Sequence, residues 1–376
     1  MRLWFRMFAV LSVFLFATES ASASAASVKL AVLGDSLSDE YGEESYGAYA
    51  KNWVEQLADA GVDLGPTAAE AGQPGGSWGL PRRTLYQHNW ARSGADTTTL
   101  LSAGQHTGVA GDVTTEGVTH VVLFIGANDF FPSGGAYIGI YFGTWSQAQI
   151  DSYLAQRVAN INTALNALAP TGVPVLIATV PDYGLVPATQ AFFTNAASRQ
   201  DVADVIDDLN LQIHAIAEAR QLGVIDINGA AEAIFGPHGS SNTTFEIGNV
   251  SIQLLQSDTT GGGNPTAGFV DDGVHPNTTL QGLIANVIME GLNIVYGTGL
   301  TLFSEEEILS HRGIAYGGSD TVAAQLGPYS DYVTDYTAVE AVPAFSPGGL
   351  ALLALTLVLT ARRFGRLALR PERPTA

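Results

Sequence analysis

Four apolar runs of strand length, Val28 to Leu33, His120 to Ile125, Val173 to Val180 and Val224 to Ile227, each break off into a polar or glycine-rich turn, with longer segments of helical period between them. Uninterrupted apolar runs of this length suit strands buried on both faces, and their alternation with helices is the pattern of a parallel sheet covered by helices. The helices are plainest over Gln149 to Leu168, where Ile150, Tyr153, Leu154, Val158, Ile161 and Leu165 recur at helical spacing, and over Ser198 to Gln221. A third is expected after Pro276, from Thr279 to Ile294. Asp63 to Leu80 and Pro237 to Gly268 break the rhythm and read as surface excursions, the second as a loop or an added hairpin. Residues 301–341 carry no strong period and read as a linker or annex.

The two ends follow other rules. Residues 1–25 carry Arg2 and Arg6, an apolar stretch from Met7 to Ala17, and then Ala-Ser-Ala-Ser-Ala, the layout of a signal peptide for export. Residues 342–376 begin Val-Pro-Ala-Phe-Ser-Pro, continue through an apolar run from Gly348 to Ala361 and end among arginines, which reads as a membrane address on an envelope-held or secreted protein. The expected catalytic domain is therefore 26–300. Seven of the 16 Lys and Arg lie in these two ends, so the domain itself is more acidic than the net −20 of the whole chain. Such a surface repels nucleic acid, which is excluded as a partner. The chain has no cysteine, hence neither disulfides nor thiol chemistry.

In a parallel sheet, ligands bind outside the carboxyl ends of the strands, and Ser36 stands just past the first strand in Gly34-Asp-Ser-Leu-Ser-Asp39. Alone, this tripeptide would be a turn and helix cap. Three later blocks occupy similar positions: Asn89-Trp-Ala-Arg-Ser-Gly94-Ala, Gly126-Ala-Asn128-Asp, and Asp271-Asp272-Gly-Val-His275-Pro. A serine hydroxyl needs a base to take its proton, and that base needs an acid to set its tautomer. Asp272 and His275 could supply both from one turn. Gly94 can bring a backbone N–H to a ligand, and Asn128 can offer a side-chain amide.

Together the blocks GDSLSD, NWARSGA, IGAND and DDGVHP resemble, in content and order, the SGNH hydrolase superfamily of GDSL esterases and lipases, over roughly Val28 to Tyr296. The resemblance implies a flavodoxin-like three-layer α/β/α sandwich with a central parallel sheet. It implies Ser36 as nucleophile, His275 as base and Asp272 as its orienter, with the Ser36 and Gly94 amides and the Asn128 side chain as oxyanion donors. The tail resembles the PEP-CTERM class of bacterial sorting signals, which implies a processing enzyme as a partner.

Gly75-Gly-Ser77-Trp-Gly79 matches a G-x-S-x-G nucleophile elbow, but neither a strand before it nor a helix after it is expected, so Ser77 is set aside. The aromatics Phe130, Phe131, Tyr137, Tyr141, Phe142 and Trp145 either wall an acyl pocket or pack a loop onto the core. No histidine spacing or Asp/Gly pattern suits a metal, and no cofactor is expected. The expected activity is hydrolysis of carboxylic esters, of acyl lipids or of acetylated carbohydrate, through an acyl-enzyme. The rivals are a carbohydrate acetyl-esterase and a non-catalytic surface binding protein on the same fold.

Overall fold

The computed structural model describes residues 28–237 and 242–337; the signal-like and sorting-like ends lie outside them. The strands are β1 (Leu30–Gly34), β2 (His120–Phe124), β3 (Val175–Ala178), β4 (Gly223–Ile225), β5 (Thr244–Ile247), β6 (Val250–Ser257), β7 (Ala267–Phe269) and β8 (Val333–Asp335). The helices up to β4 are α1 (Trp53–Asp59), α2 (Thr97–Ser102), α3 (Gln105–Thr115), α4 (Gly135–Tyr141), α5 (Gln147–Leu168), α6 (Pro187–Phe192) and α7 (Ala196–Arg220). After β4 come α8 (Ile227–Phe235), α9 (Thr278–Tyr296), α10 (Glu305–Ser310) and α11 (Val322–Leu326).

The central sheet runs β1-β2-β3-β4-β8, with the first four strands parallel. Because side chains alternate along a strand, each strand feeds two cores. Leu30, Val32, Val122, Phe124, Leu176 and Ile225 meet α1, α8 and α9 on one face. Ala31, Leu33, Val121, Leu123, Ile177 and Val224 meet α3, α5 and α7 on the other. The result is the expected three-layer sandwich, and the three expected long helices appear within two residues of their expected bounds.

Two open alternatives are decided, in favour of the annex and of the added hairpin. The stretch after Thr301 is part of the domain: β8 adds an antiparallel edge to β4, and Ile308, Leu309, Val322 and Leu326 are buried. The buried carboxylate of Glu305 ties this stretch down, accepting from the backbone N–H of Thr321 at 2.8 Å and of Val322 at 2.7 Å, and from Gly248 in the β5–β6 turn. No period announces such a segment, because it docks on the core one residue at a time. The excursion around Pro237 to Gly268 also has a task. β5 and β6 form an antiparallel hairpin, and β6 pairs with β7, which leads into the turn bearing Asp272 and His275. Among the described residues no helix is long and apolar enough to cross a membrane, and the tail at 342–376 lies beyond them.

Candidate active site

β1 ends at Gly34 because the chain passes tight against β2 there: a Cβ on Gly34 would lie 2.6 Å from the Phe124 carbonyl oxygen. Gln105 pins the same residue, accepting from its N–H at 3.0 Å and donating to its carbonyl at 3.1 Å. The chain then coils once. Asp35 accepts Leu37 N–H on its carboxylate at 3.0 Å and Asp39 N–H on its carbonyl at 2.9 Å, which leaves Ser36 at the lip of the turn, 7% exposed. Burial pushes the Asp35 carboxyl up to about 7, against the lowering effects of the Leu37 N–H and the His275 charge.

Asp39, also buried, gathers the second block. Its Oδ2 accepts from Arg92 at 2.9 Å, from Arg83 at 2.5 Å and from the backbone N–H of Ser93 at 2.7 Å. Arg92 N–H also donates to the Gly34 carbonyl at 3.1 Å. Gly94 follows with φ +78°, a left-handed conformation that glycine adopts without the strain a side chain would bring. Asn128 joins the third block to the second, its Nδ2 donating to the Ala95 carbonyl at 3.0 Å. The Tyr183 hydroxyl donates to its Oδ1 at 3.3 Å, which fixes the amide orientation and leaves the second Nδ2–H unused. Among the described residues, the backbone N–H groups of Ser36 and Gly94 make no hydrogen bond either.

The fourth block is an Asx turn. Asp272 Oδ1 accepts Val274 N–H at 2.8 Å and His275 N–H at 3.0 Å, while its Oδ2 lies 2.6 Å from His275 Nδ1. Burial raises the Asp272 carboxyl, but the hydrogen bond and charge of His275 outweigh it and hold the group below the usual carboxylate range. Asn277 anchors the turn to β7 through the Gly268 and Ala267 carbonyls and caps α9. His275 Nε2 is buried and unpartnered among the described residues.

Ser36 and His275 border one cleft, whose empty space is about 920 Å³ with its open mouth included. Its far walls are apolar stripes from two helices, Ile227, Ala230 and Ile234 on α8 and Leu280, Leu283 and Val287 on α9, with Leu326 of α11. Spacings of three and four put each set on one helix face. The aromatic run after Asp129 does not line it: Phe130, Tyr137 and Tyr141 are buried in the opposite core, and Phe131 packs edge-on against Tyr183. Ser77 is a turn residue whose hydroxyl donates to the Arg83 carbonyl at 2.9 Å. No group of three or more His, Cys, Asp or Glu that could hold a metal occurs among the described residues.

The sequence reading gave no role to Asp39, although it closes the GDSLSD block, nor to Tyr183 or to Tyr46, whose hydroxyl lies 2.8 Å from His275 Nδ1. Only the stripes on α8 and α9 had a readable signal, their apolar spacing, and that pattern serves a core equally well.

The sequence matches the model of the GDSL-like lipase/acylhydrolase family over residues 30–288. No curated protein matches it. Among solved structures, it is similar to a GDSL-like lipase of Bacteroides thetaiotaomicron, at 15% identity, covering 74% of this chain and 96% of that one, with a TM-score of 0.39. A variant of an acetyl xylan esterase from Geobacillus stearothermophilus matches at 16% identity over 73% of this chain and 96% of that one, with a TM-score of 0.40. Because the family model spans more than half of the chain and takes in all four blocks, this protein belongs to the GDSL-like lipase/acylhydrolase family and is a carboxylic ester hydrolase.

Proposed function

We propose that this protein is an exported esterase that removes apolar acyl chains from their esters through an acyl-enzyme on Ser36. In this reading Ser36 Oγ attacks the ester carbonyl carbon as its proton passes to His275 Nε2. The oxyanion receives hydrogen bonds from the Ser36 and Gly94 N–H groups and from Asn128 Nδ2. Collapse of the tetrahedral intermediate breaks the bond to the alcohol oxygen, which leaves with the proton from His275. Water, deprotonated by His275, then attacks the acyl-serine and releases the carboxylic acid. Asp272 keeps the imidazole proton on Nδ1, so that Nε2 presents a lone pair to Ser36.

The observation that carries the substrate reading is the apolar cleft beginning at Ser36 and His275. Its lining beyond Ser36 and His275 is side chains such as Ile227, Ile234, Leu280 and Leu283, apolar surface that an acetyl group would leave uncovered. Leu280 to Val287 alone spans about 10 Å of helix, enough for several methylenes. Each methylene buried contributes about 0.8 kcal/mol, a factor of about four. On a series of p-nitrophenyl esters, kcat/KM should therefore climb about fourfold per added methylene until the cleft is full, then flatten or fall. A maximum at acetate, with strong turnover of acetylated xylan, would overturn this reading in favour of the acetyl-esterase. Absence of turnover on every ester would favour the binding protein.

Export rests on the layout of residues 1–25 and envelope retention on the tail at 342–376, where a sorting enzyme would act. A chain ending at Glu340 keeps β8 and Leu326 and should leave the membrane fraction with unchanged kcat/KM. Its remaining as firmly bound as the full chain would sink the anchoring role.

A further inference from the structure

His275 Nδ1 has two partners. Asp272 Oδ2 lies at 2.6 Å, and the phenol oxygen of Tyr46 lies at 2.8 Å. Tyr46 comes from the loop before α1, 229 residues away and outside all four sequence blocks. The Tyr41 ring meets that of Tyr46 edge-on with centroids 5.0 Å apart, and the Tyr46 and His275 rings are 5.3 Å apart. Tyr41 also donates its hydroxyl to the Pro276 carbonyl at 3.0 Å. Two tyrosines thus pack against the His275 turn.

The geometry points to Tyr46 as a positioning residue for the His275–Asp272 pair, its hydroxyl taking up part of the Asp272 charge and so setting how strongly the imidazole holds a proton. This rests on reading His275 as the base.

The argument is one of proton accounting. Nδ1 carries at most one proton. If that proton goes to Asp272, Nε2 is free to accept from Ser36, and the Tyr46 proton cannot point at Nδ1. It turns to the Asp272 carboxylate, which lies within side-chain hydrogen-bond reach of it. If instead Tyr46 donates to Nδ1, the imidazole proton sits on Nε2 and Ser36 has no base. In that state the bare Nδ1 would also face an ionised carboxylate at 2.6 Å, lone pair against lone pair. The first arrangement therefore prevails. The phenol stays protonated throughout, because burial pushes it well above its usual value and the charges of Asp272, Glu44 and Asp271 push it further.

The other groups facing this corner are Asp35, whose charge acts on His275, and the phenols of Tyr41, Tyr49 and Tyr183, on which the Asp272 charge acts. Among the described residues none of them hydrogen-bonds to Nδ1 or to Asp272 Oδ2, so Tyr46 is the neighbour through which the pair can be tuned without replacing either member.

The sign follows. Without the Tyr46 hydroxyl, Asp272 keeps its full charge and stabilises the imidazolium more. The base then stays protonated to higher pH. For Tyr46→Phe, which keeps both ring contacts, the acid limb of the kcat/KM profile of the full chain should move up by about one pH unit. In an Asp272→Asn background the same change should leave the limb where it was, because the two effects are coupled. A thermal melt near that of wild type shows that the fold is intact; if Tyr46→Phe melts far lower, Tyr46→Met takes its place with the same expectation. An acid limb that stays put or moves down in a folded variant overturns the role of Tyr46. Ser36→Ala, assayed alongside, separates the two claims: if it stays active, the reading of Ser36 and His275 is at fault, and if it is inactive while the limb stays put, only the role of Tyr46 is.

Discussion

Ser36→Ala is expected to fold normally and to lose ester hydrolysis by on the order of 10⁴-fold or more, while Ser77→Ala stays near wild type. In the proposed mechanism the size follows from removing the nucleophile while leaving the proposed oxyanion donors and the cleft in place, which alone retain only residual catalysis. The Ala side chain fits because the 35–39 turn is held by backbone and by Asp35, not by the Ser36 hydroxyl, which makes no hydrogen bond among the described residues. Among the described residues Ser77 has only the Arg83 carbonyl and the Gly79 N–H for hydrogen-bond partners, and neither is a base. Steady-state rates on the preferred ester, with a fluorophosphonate label mapped by mass spectrometry, provide the check. A label on Ser77, or an active Ser36→Ala enzyme, would reverse the assignment.

The second large effect belongs to Asn128. Its amide is held at both ends, by Ala95 and by Tyr183, with one N–H left over. A donor so fixed costs little reorganisation as charge develops, and it matters most in the transition state. Asn128→Ala should therefore lower kcat by about 10²- to 10³-fold, with KM changed much less. A change confined to KM would instead make Asn128 a substrate-binding residue.

Some of these residues were legible in the chain and others were not. Ser36, Gly94, Asn128, Asp272 and His275 sit in turns that follow β1 and β2 or precede α2 and α9, and turns have local chemistry: a glycine for a left-handed φ, an Asx side chain for its own backbone. Asp272 and His275 are three residues apart, so their contact was implied by the spacing itself. Tyr46 and Asp39 act on partners far away in sequence, through one hydroxyl and one carboxylate, and nothing in their neighbours announces it. The aromatics after Asp129 show the opposite case. They are conspicuous in the sequence, yet Phe130, Tyr137 and Tyr141 pack the core opposite the cleft, while Phe131 and Phe142 are exposed.

What the sequence determined by itself is therefore periodic or local: the parallel β1–β4 core, read from apolar runs buried on both faces, and the turns that carry the candidate site residues. The tertiary structure alone decided where Tyr46 meets His275, that β8 and Leu326 belong to the domain, and that the facing stripes of α8 and α9 leave a cleft between them. The reason is physical. Hydrogen-bond geometry and side-chain alternation repeat over a few residues and leave a pattern, whereas a contact between distant segments depends on how whole layers pack, and an apolar stripe looks the same whether a neighbouring helix or a substrate covers it.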